Sequence, residues 1–269
     1  MKKNGKLIAS VLFIILFIGV IVYFGGKNNK ESNLPQSGDL VVVDTYETKA
    51  LPTDDVYTKF DVKYPSFKNA PADFNSEIEN LIKAEVEDFK KNSAENWQAR
   101  YDTQSVAENI PKVPAGDSDK FTFSSSFNIM QSNDSYISFI LRYGGFNGGA
   151  HGFLNIVSYN YDLKNKKVLA LSDLFPSQKD YLNYLSTESR IYLKNKFAIL
   201  SEEDKKNSDP QATLEYVDNM TSMIEAGTEP KLQNFNTFTF TNDMVKIYFA
   251  DYQVGPHSIG MPEFEVKRG

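Results

Sequence analysis

The sequence predicts an α+β domain, in which an antiparallel sheet carries helices on one face, preceded by a single N-terminal transmembrane helix. Three observations lead to this class. An apolar run stands near the N-terminus, several segments alternate apolar and polar residues in pairs separated by turn residues, and three further segments repeat apolar residues at helical spacing. The order of these segments also fits two βαββ-like halves that divide near a glycine-rich stretch.

The apolar run, residues 7–24, is interrupted only by Ser10 and Gly19. At about 1.5 Å per residue it covers roughly 27 Å, close to the ~30 Å hydrocarbon core of a bilayer. It ends in IVYFGGKNNK, without a small-residue cleavage pattern, so we expect an uncleaved single-pass anchor, with a cleaved signal peptide as the alternative. Residues 1–6 would then be a cytoplasmic tail and residues 25–39 a flexible stalk outside the cell membrane.

The composition indicates a bacterial cell-envelope protein. The chain contains no cysteine, so an extracytoplasmic part must fold without disulfides, as larger bacterial domains can. The first thirty residues hold five lysines and no acidic residue, so residues 31–269 carry 24 basic and 35 acidic residues, a net charge of −11. Such a surface repels nucleic acid and attracts a cationic partner, most strongly at low salt.

Residues 40–143 form the predicted N-terminal half. Strands are expected in LVVVDTYET and VYTKFDVKYPSF, and a helix in DFNSEIENLIKAEVEDFKK, whose apolar residues fall on one face. A polar segment that contains Trp97 is expected to follow this helix as far as Asp119. The segments KFTFSSSFNIM and SYISFILRY alternate on either side of SNDS, which predicts a hairpin.

Residues 144–269 form the predicted C-terminal half. The segment FLNIVSYNYDLKNKKVLALSDLF indicates a second hairpin that turns at residues 162–166. A helix is expected from a cap at Ser177 to about Leu200, and another in SDPQATLEYVDNMTSMIEAG. The residues TND turn a third hairpin, and a last short strand is expected from about Phe264.

The common catalytic and metal-binding motifs do not occur in the sequence. Two histidines and no cysteine exclude the usual zinc spacings, and neither a Walker loop nor a Gly-x-Ser-x-Gly turn is present. The glycine-rich stretch departs from the dinucleotide-binding pattern as well. We therefore predict no catalytic residue, no metal and no cofactor, although the 35 acidic residues could hold an acid–base pair that the sequence does not single out.

The glycine-rich stretch YGGFNGGAHGF, residues 143–153, places His151 beside five glycines and between predicted strands. It is either a tight turn or a place where the backbone lets a ligand approach an imidazole. His257 follows a Gly-Pro turn, and because both histidines follow predicted strands, they could meet in space. Together with Asp251 they could also bind a metal. The candidate binding residues are Asn147, Gly148, Gly149, His151, Asp251, Tyr252, Gly255 and His257.

Aromatic residues are abundant, with 15 tyrosines and 20 phenylalanines. Alternating aromatics usually pack in a core or pair across strands. If Tyr143, Tyr159, Tyr161 and Tyr252 are exposed instead, they could stack on sugars or line a protein interface.

Several short motifs in a fixed order resemble a bacterial extracytoplasmic domain family without a settled general function. They are GGAHG, the hairpin segment YNYDL, DLF before a helix, and YQVGP, and the resemblance extends from Gly144 to Val266. The family includes the ectodomain of RsiV, a lysozyme-sensing anti-sigma factor, and a module attached to peptidoglycan deacetylases. The segment from Tyr57 to Tyr143 looks like the partner domain that commonly precedes this module. The resemblance marks residues 147–152 and 252–255 as family hallmarks.

The resemblance implies a membrane-anchored binding module, not an enzyme, that recognises cell-wall glycan or a wall-acting protein such as lysozyme. The acidic surface fits a cationic lysozyme. Because residues 1–6 are too few for a sigma-binding domain, we expect direct binding or inhibition instead of signalling. Two alternatives stay open: a hydrolase or deacetylase-like enzyme that uses His151 with an acid such as Asp251, and a structural envelope protein without a ligand.

Overall fold

A computed structural model describes residues 45–199 and 209–268 of the chain. The predicted tail, anchor and stalk, residues 1–6, 7–24 and 25–39, lie outside the described residues. Within the described ranges, no helix is both long and apolar enough to cross a membrane.

The first sheet contains six strands in the order of the sequence, and they confirm the α+β class. The strands are β1 (Tyr46–Ala50), β2 (Thr58–Phe67), β3 (Phe121–Ser132), β4 (Tyr136–Phe146), β5 (Phe153–Asp162) and β6 (Lys167–Val168). Neighbouring strands pair antiparallel except β2 and β3, which are parallel. The sheet is therefore mixed, because helix α1 (Ala72–Glu108) carries the chain back to the end at which β2 began.

Helix α1 is much longer than the sequence indicated, with 37 residues in place of a helix that stops near Lys91. The prediction of a polar segment around Trp97 was wrong because Ser93, which is fully buried, continues the buried face between Phe89 and Trp97. The indole nitrogen of Trp97 donates a hydrogen bond to the carbonyl oxygen of Pro111 at 3.2 Å. This bond holds the segment that follows α1 against the last turns of the helix.

The second sheet and two helices form the other half of the fold. Its strands, β7 (Phe238–Phe240), β8 (Met244–Tyr248) and β9 (Glu263–Lys267), are antiparallel in that order. They share a buried cluster with α2 (Tyr181–Leu193), a π-helical turn (Lys194–Ala198) and α3 (Pro210–Gly227). The side chain of Asp209 caps α3 by accepting hydrogen bonds from two backbone amides, whereas α2 begins at Tyr181 and not at the predicted cap, Ser177.

The two sheets meet where β7 lies against β4 and β5. The amide nitrogen of Phe240 donates to Ser138 Oγ at 2.8 Å, and Asn160 Nδ2 donates to the carbonyl oxygen of Phe238 at 2.7 Å. Ser138 Oγ in turn donates to Asn160 Oδ1 at 2.7 Å, and all of these groups are buried. Side chains of the first sheet thus satisfy backbone groups on the free edge of β7.

Alternation along β4 separates the two faces of the first sheet. Ile137, Phe139, Leu141 and Tyr143 join the cluster packed under α1, whereas Ser138 faces β7. The second sheet with its helices therefore occupies the face of the first sheet opposite to α1. Strand β4 also runs without a break across residues 143 and 144, so the first sheet does not divide at the expected boundary between halves.

We expect the protein to lose stability at alkaline pH, because two tyrosines are buried in the apolar cluster beneath α1. Burial, followed by nearby glutamates, raises the pKa of Tyr143 and of Tyr159 to about 12. The unfolded chain releases these protons near pH 10, so the free energy of unfolding should fall as the pH rises from about 10 to about 12, by at most about 3 kcal/mol per tyrosine. Urea unfolding measured across this pH range should show a smaller decrease in the free energy of unfolding for Tyr159→Phe, which keeps the ring but has no phenol to ionise. An equal decrease for the variant and the wild type would contradict a raised pKa for Tyr159.

Candidate functional site

Two loops from different sheets converge on the chain's two histidines. The β4–β5 loop, residues 147–152, carries His151, and the β8–β9 loop, residues 249–262, carries His257. The ring centroids of the two imidazoles are 5.9 Å apart and the rings are nearly parallel, at 18°. We call His151, Asp251, Tyr252 and His257 the two-loop cluster.

The first glycines of the stretch are required by strand pairing. Gly144 and Gly145 lie within β4, and a Cβ atom on Gly144 would stand 2.0 Å from the carbonyl oxygen of Phe153. A Cβ atom on Gly145 would stand 2.2 Å from the carbonyl oxygen of Thr122. Strand β4 therefore approaches both of its neighbours too closely for any other residue at these positions.

The remaining loop residues form the turn itself. Gly148 has a φ of +87°, a left-handed conformation that favours glycine. The carbonyl oxygen of Asn147 accepts a hydrogen bond of 3.1 Å from Asn96 Nδ2, which ties the loop to α1. A Cβ atom on Gly149 would meet nothing closer than 3.6 Å, so this position does not itself require glycine.

Each imidazole is oriented by a hydrogen bond from its Nδ1 atom. In His151 this atom lies 2.7 Å from the carbonyl oxygen of Gly152, and in His257 it lies 2.6 Å from Asp251 Oδ2. Because both partners are acceptors, Nδ1 carries the hydrogen in each ring. A carboxylate behind an imidazole is a common way to fix its tautomer and orientation.

Tyr252 supplies an exposed aromatic ring next to His257. It has a φ of 63°, unusual for a residue with a side chain, and its ring centroid lies 5.8 Å from that of His257. The side chain is 38% exposed. Partial burial and then the charge of Asp251 raise the pKa of its phenol, so the phenol is protonated at neutral pH.

The β8–β9 loop is anchored to the rest of the domain on the inside. The side chain of Gln253 accepts a hydrogen bond from the amide of Ala250 and donates to the carbonyl oxygens of Gly227 and Asn234, at 2.9–3.0 Å. Gly255 makes room for an apolar side chain, since a Cβ atom there would stand 2.3 Å from Ile259 Cδ1. These contacts hold the backbone of the loop in place, so the positions of its exposed residues are also fixed.

A cleft of about 240 Å³ opens beside the cluster, between β5 and the β8–β9 loop. It is lined by residues 154–156, Thr237, Tyr248, residues 249–251 and Met261. Asp251 belongs to both the cluster and the cleft. Its Oδ1 atom is buried and accepts no hydrogen bond from any residue that the structure describes.

The structure thus gathers four of the eight candidate residues into one cluster, since the side chains of His151, Asp251, Tyr252 and His257 meet. Of the other four, Asn147, Gly148 and Gly255 shape the two loops, whereas Gly149 has no contact that requires glycine. The sequence analysis missed the cleft, because its residues come from separate segments that share no sequence motif.

The other tyrosines offered as sugar-stacking rings do not serve that purpose. Tyr143 and Tyr159 are buried in the core, and Tyr161 is half-buried. Among the residues described, no group of three or more histidine, cysteine or acidic side chains could hold a metal ion, so the hypothesis of a metal site at His151, His257 and Asp251 finds no support.

The described residues form an α+β domain that carries the two-loop cluster. Two segments of the chain match models of known protein families. Residues 52–154 match the family model described as deacetylase PdaC, and residues 172–269 match DUF3298, a family described as a protein of unknown function. The two matches fit a module found in peptidoglycan deacetylases.

One curated relative is similar along the whole chain. It is the peptidoglycan-N-acetylmuramic acid deacetylase PdaC of Bacillus subtilis (strain 168), 24% identical over 269 residues. The chain spans about half the length of this relative, 50%.

Two solved structures resemble the described domain. A DUF3298 family member from Bacteroides fragilis is 15% identical, with a TM-score of 0.54 over 82% of this chain and 89% of that chain, and shows the same fold. A DUF3298 protein from Pseudomonas aeruginosa is 14% identical, with a TM-score of 0.47 over the same shares of the two chains.

The glycine contacts predict a sharp difference between neighbouring substitutions. Gly144→Ala should lower the free energy of unfolding by about 3 kcal/mol, because its methyl group would meet the backbone of β5. Gly149→Ala is the matched control and should change stability by less than about 0.5 kcal/mol. Urea unfolding of both variants measures the difference, and similar stabilities would contradict the close pairing of β4 and β5.

Proposed function

We propose that this chain is a membrane-anchored, extracytoplasmic module that binds peptidoglycan through the two-loop cluster. The observation that carries the proposal is the convergence of His151 and His257 beside an exposed Tyr252 and a cleft. Residues 7–24 would hold the module at the cell membrane, with the described domain facing the wall.

The two histidine loops belong to different matched segments of the chain. His151 lies in the segment that matches the PdaC model, and His257 lies in the segment that matches DUF3298. The cluster is therefore built by one loop from each matched segment. The curated relative acts on peptidoglycan according to its name, which supports a wall polymer as the ligand.

The chemistry of the cluster suits a polymer rich in hydroxyl and amide groups. Imidazole nitrogens and a phenol can donate or accept hydrogen bonds, and the ring of Tyr252 offers an apolar face to a sugar. The cleft is smaller than the sites of about 300–1,000 Å³ that enclose a drug-sized ligand. It therefore suits one substituent, such as an N-acetyl group, with the polymer lying across its mouth.

A lysozyme-like protein is the second candidate ligand. The net charge of −11 over residues 31–269 would attract a cationic wall-acting protein and make the association sensitive to salt. The sequence motifs that resemble the ectodomain of RsiV support this alternative.

An enzyme that acts on the wall is the third possibility. The pair of His257 and Asp251 has the arrangement of a general base and the carboxylate that orients it. A deacetylase reaction on peptidoglycan would release acetate, so this alternative has a direct readout.

Binding to insoluble peptidoglycan tests the proposal. The complete chain, purified in mild detergent, should sediment with peptidoglycan at low and at moderate salt. His151→Ala and Tyr252→Asn, the second of which tolerates the left-handed backbone, should each weaken binding about tenfold. Val168→Ala, which trims a side chain that is exposed outside the cluster, should bind like wild type.

The controls separate the three candidates. Thermal unfolding of each variant must match wild type, so that weak binding reports the surface and not the fold. Saturable binding to lysozyme without retention on peptidoglycan would overturn the proposal in favour of the second candidate. Acetate release that depends on His257 would favour an enzyme, and no interaction with either ligand would leave a structural envelope protein.

A further inference from the structure

We infer a second binding site, for a neutral glycan chain, in a groove between the end of α2 and strands β8 and β9. The groove has a volume of about 570 Å³, within the range of about 300–1,000 Å³ found for ligand sites. It adjoins the cleft of the two-loop cluster at Met261, which lines both, but none of the four cluster residues lines the groove. It is therefore a separate site, beyond the function proposed above.

One wall of the groove is aromatic. Tyr192 at the end of α2 is 38% exposed, and its ring is supported from behind by Phe264 at a centroid distance of 5.7 Å. Lys196 fixes the ring further, since its Nζ atom donates to Tyr192 Oη at 3.1 Å and lies 5.2 Å from the ring centroid of Phe197. A backed, exposed aromatic ring is a suitable platform for the apolar face of a sugar.

The opposite wall is charged and held in place. Lys246 Nζ lies 2.8 Å from Glu265 Oε1 and 3.3 Å from Glu263 Oε2. The other carboxylate oxygen of Glu263 accepts a hydrogen bond of 2.8 Å from Arg142, which extends from the first sheet. These side chains are thus oriented by their neighbours before any ligand arrives.

The groove contains equal numbers of positive and negative side chains, which indicates the kind of ligand that it can bind. Two ammonium groups, of Lys196 and Lys246, and two carboxylates, of Glu263 and Glu265, line the same groove. The two carboxylates would repel an anionic ligand, and the two ammonium groups would repel a cationic one. The groove therefore favours neither kind of ion. A hydroxyl group both donates and accepts hydrogen bonds, so it can bond to either kind of side chain. A neutral polyhydroxylated chain therefore fits the groove better than an ion.

A soluble N-acetylglucosamine hexamer is the probe for this site. Calorimetric titration of the complete chain should show binding that Tyr192→Ala weakens about tenfold, the loss expected when an aromatic contact is removed. Tyr192→Phe keeps the ring and should bind within about twofold of wild type. Glu265→Gln should weaken binding, because it replaces one carboxylate oxygen with an amide donor and removes the charge that pairs with Lys246. Val168→Ala, which trims an exposed side chain that lines neither the cleft nor the groove, should leave hexamer binding unchanged.

The outcomes distinguish this inference from the proposed function. No binding of the hexamer, or equal binding by wild type and Tyr192→Ala, would overturn the glycan groove whatever happens with peptidoglycan. Binding of wall stem peptides in the groove without binding of the hexamer would overturn it as well. Hexamer binding that depends on Tyr192, together with no effect of His151→Ala on peptidoglycan retention, would support the groove and overturn the two-loop cluster as the wall site.

Discussion

The architecture depends on how the free edge of β7 is satisfied inside the protein. Ser138, Ser158 and Asn160 of the first sheet form hydrogen bonds with the backbone groups of Phe238 and Phe240 that β8 does not reach. A buried backbone group without a partner would cost about 1–3 kcal/mol, so these polar side chains permit a strand edge to pack against a sheet face. Pairing then places β8 and β9, and α2 and α3 pack around them.

The position of the two-loop cluster follows from this junction. Once β7 is fixed on β4 and β5, the loop that joins β8 to β9 lies beside the loop that joins β4 to β5, and the two histidines meet. The ion pair between Arg142 and Glu263 provides a second bridge between the sheets, next to the groove. The cluster therefore lies where the first sheet meets the second and needs a loop from each. The lining of the groove, by contrast, comes from the second sheet and the helical segments packed on it, and Arg142 of the first sheet reaches it through Glu263.

The sequence predicted what depends on local pattern and missed what depends on distant pairing. The three hairpins, the early part of α1 and the last strand follow from alternation, helical spacing and turn residues. The parallel pairing of β2 with β3 joins segments that are separated by the whole of α1, so no local signal marks it. The full length of α1 was missed because a buried serine, Ser93, stands where an apolar residue would extend the pattern. The proximity of His151 and His257 could be expected, since both follow strands. The cleft beside them could not, because its lining residues come from segments with no shared motif.

The central claim is that the two histidine loops act as one ligand-binding surface. The chain contains exactly two histidines, so imidazole proton–nitrogen NMR spectra give one set of signals for each loop. Titration with soluble peptidoglycan fragments should shift the signals of His151 and His257 together, with the same apparent Kd, and Tyr252→Asn should weaken both responses equally. Signals that stay unchanged at saturating fragment, or that report two different Kd values, would contradict the account.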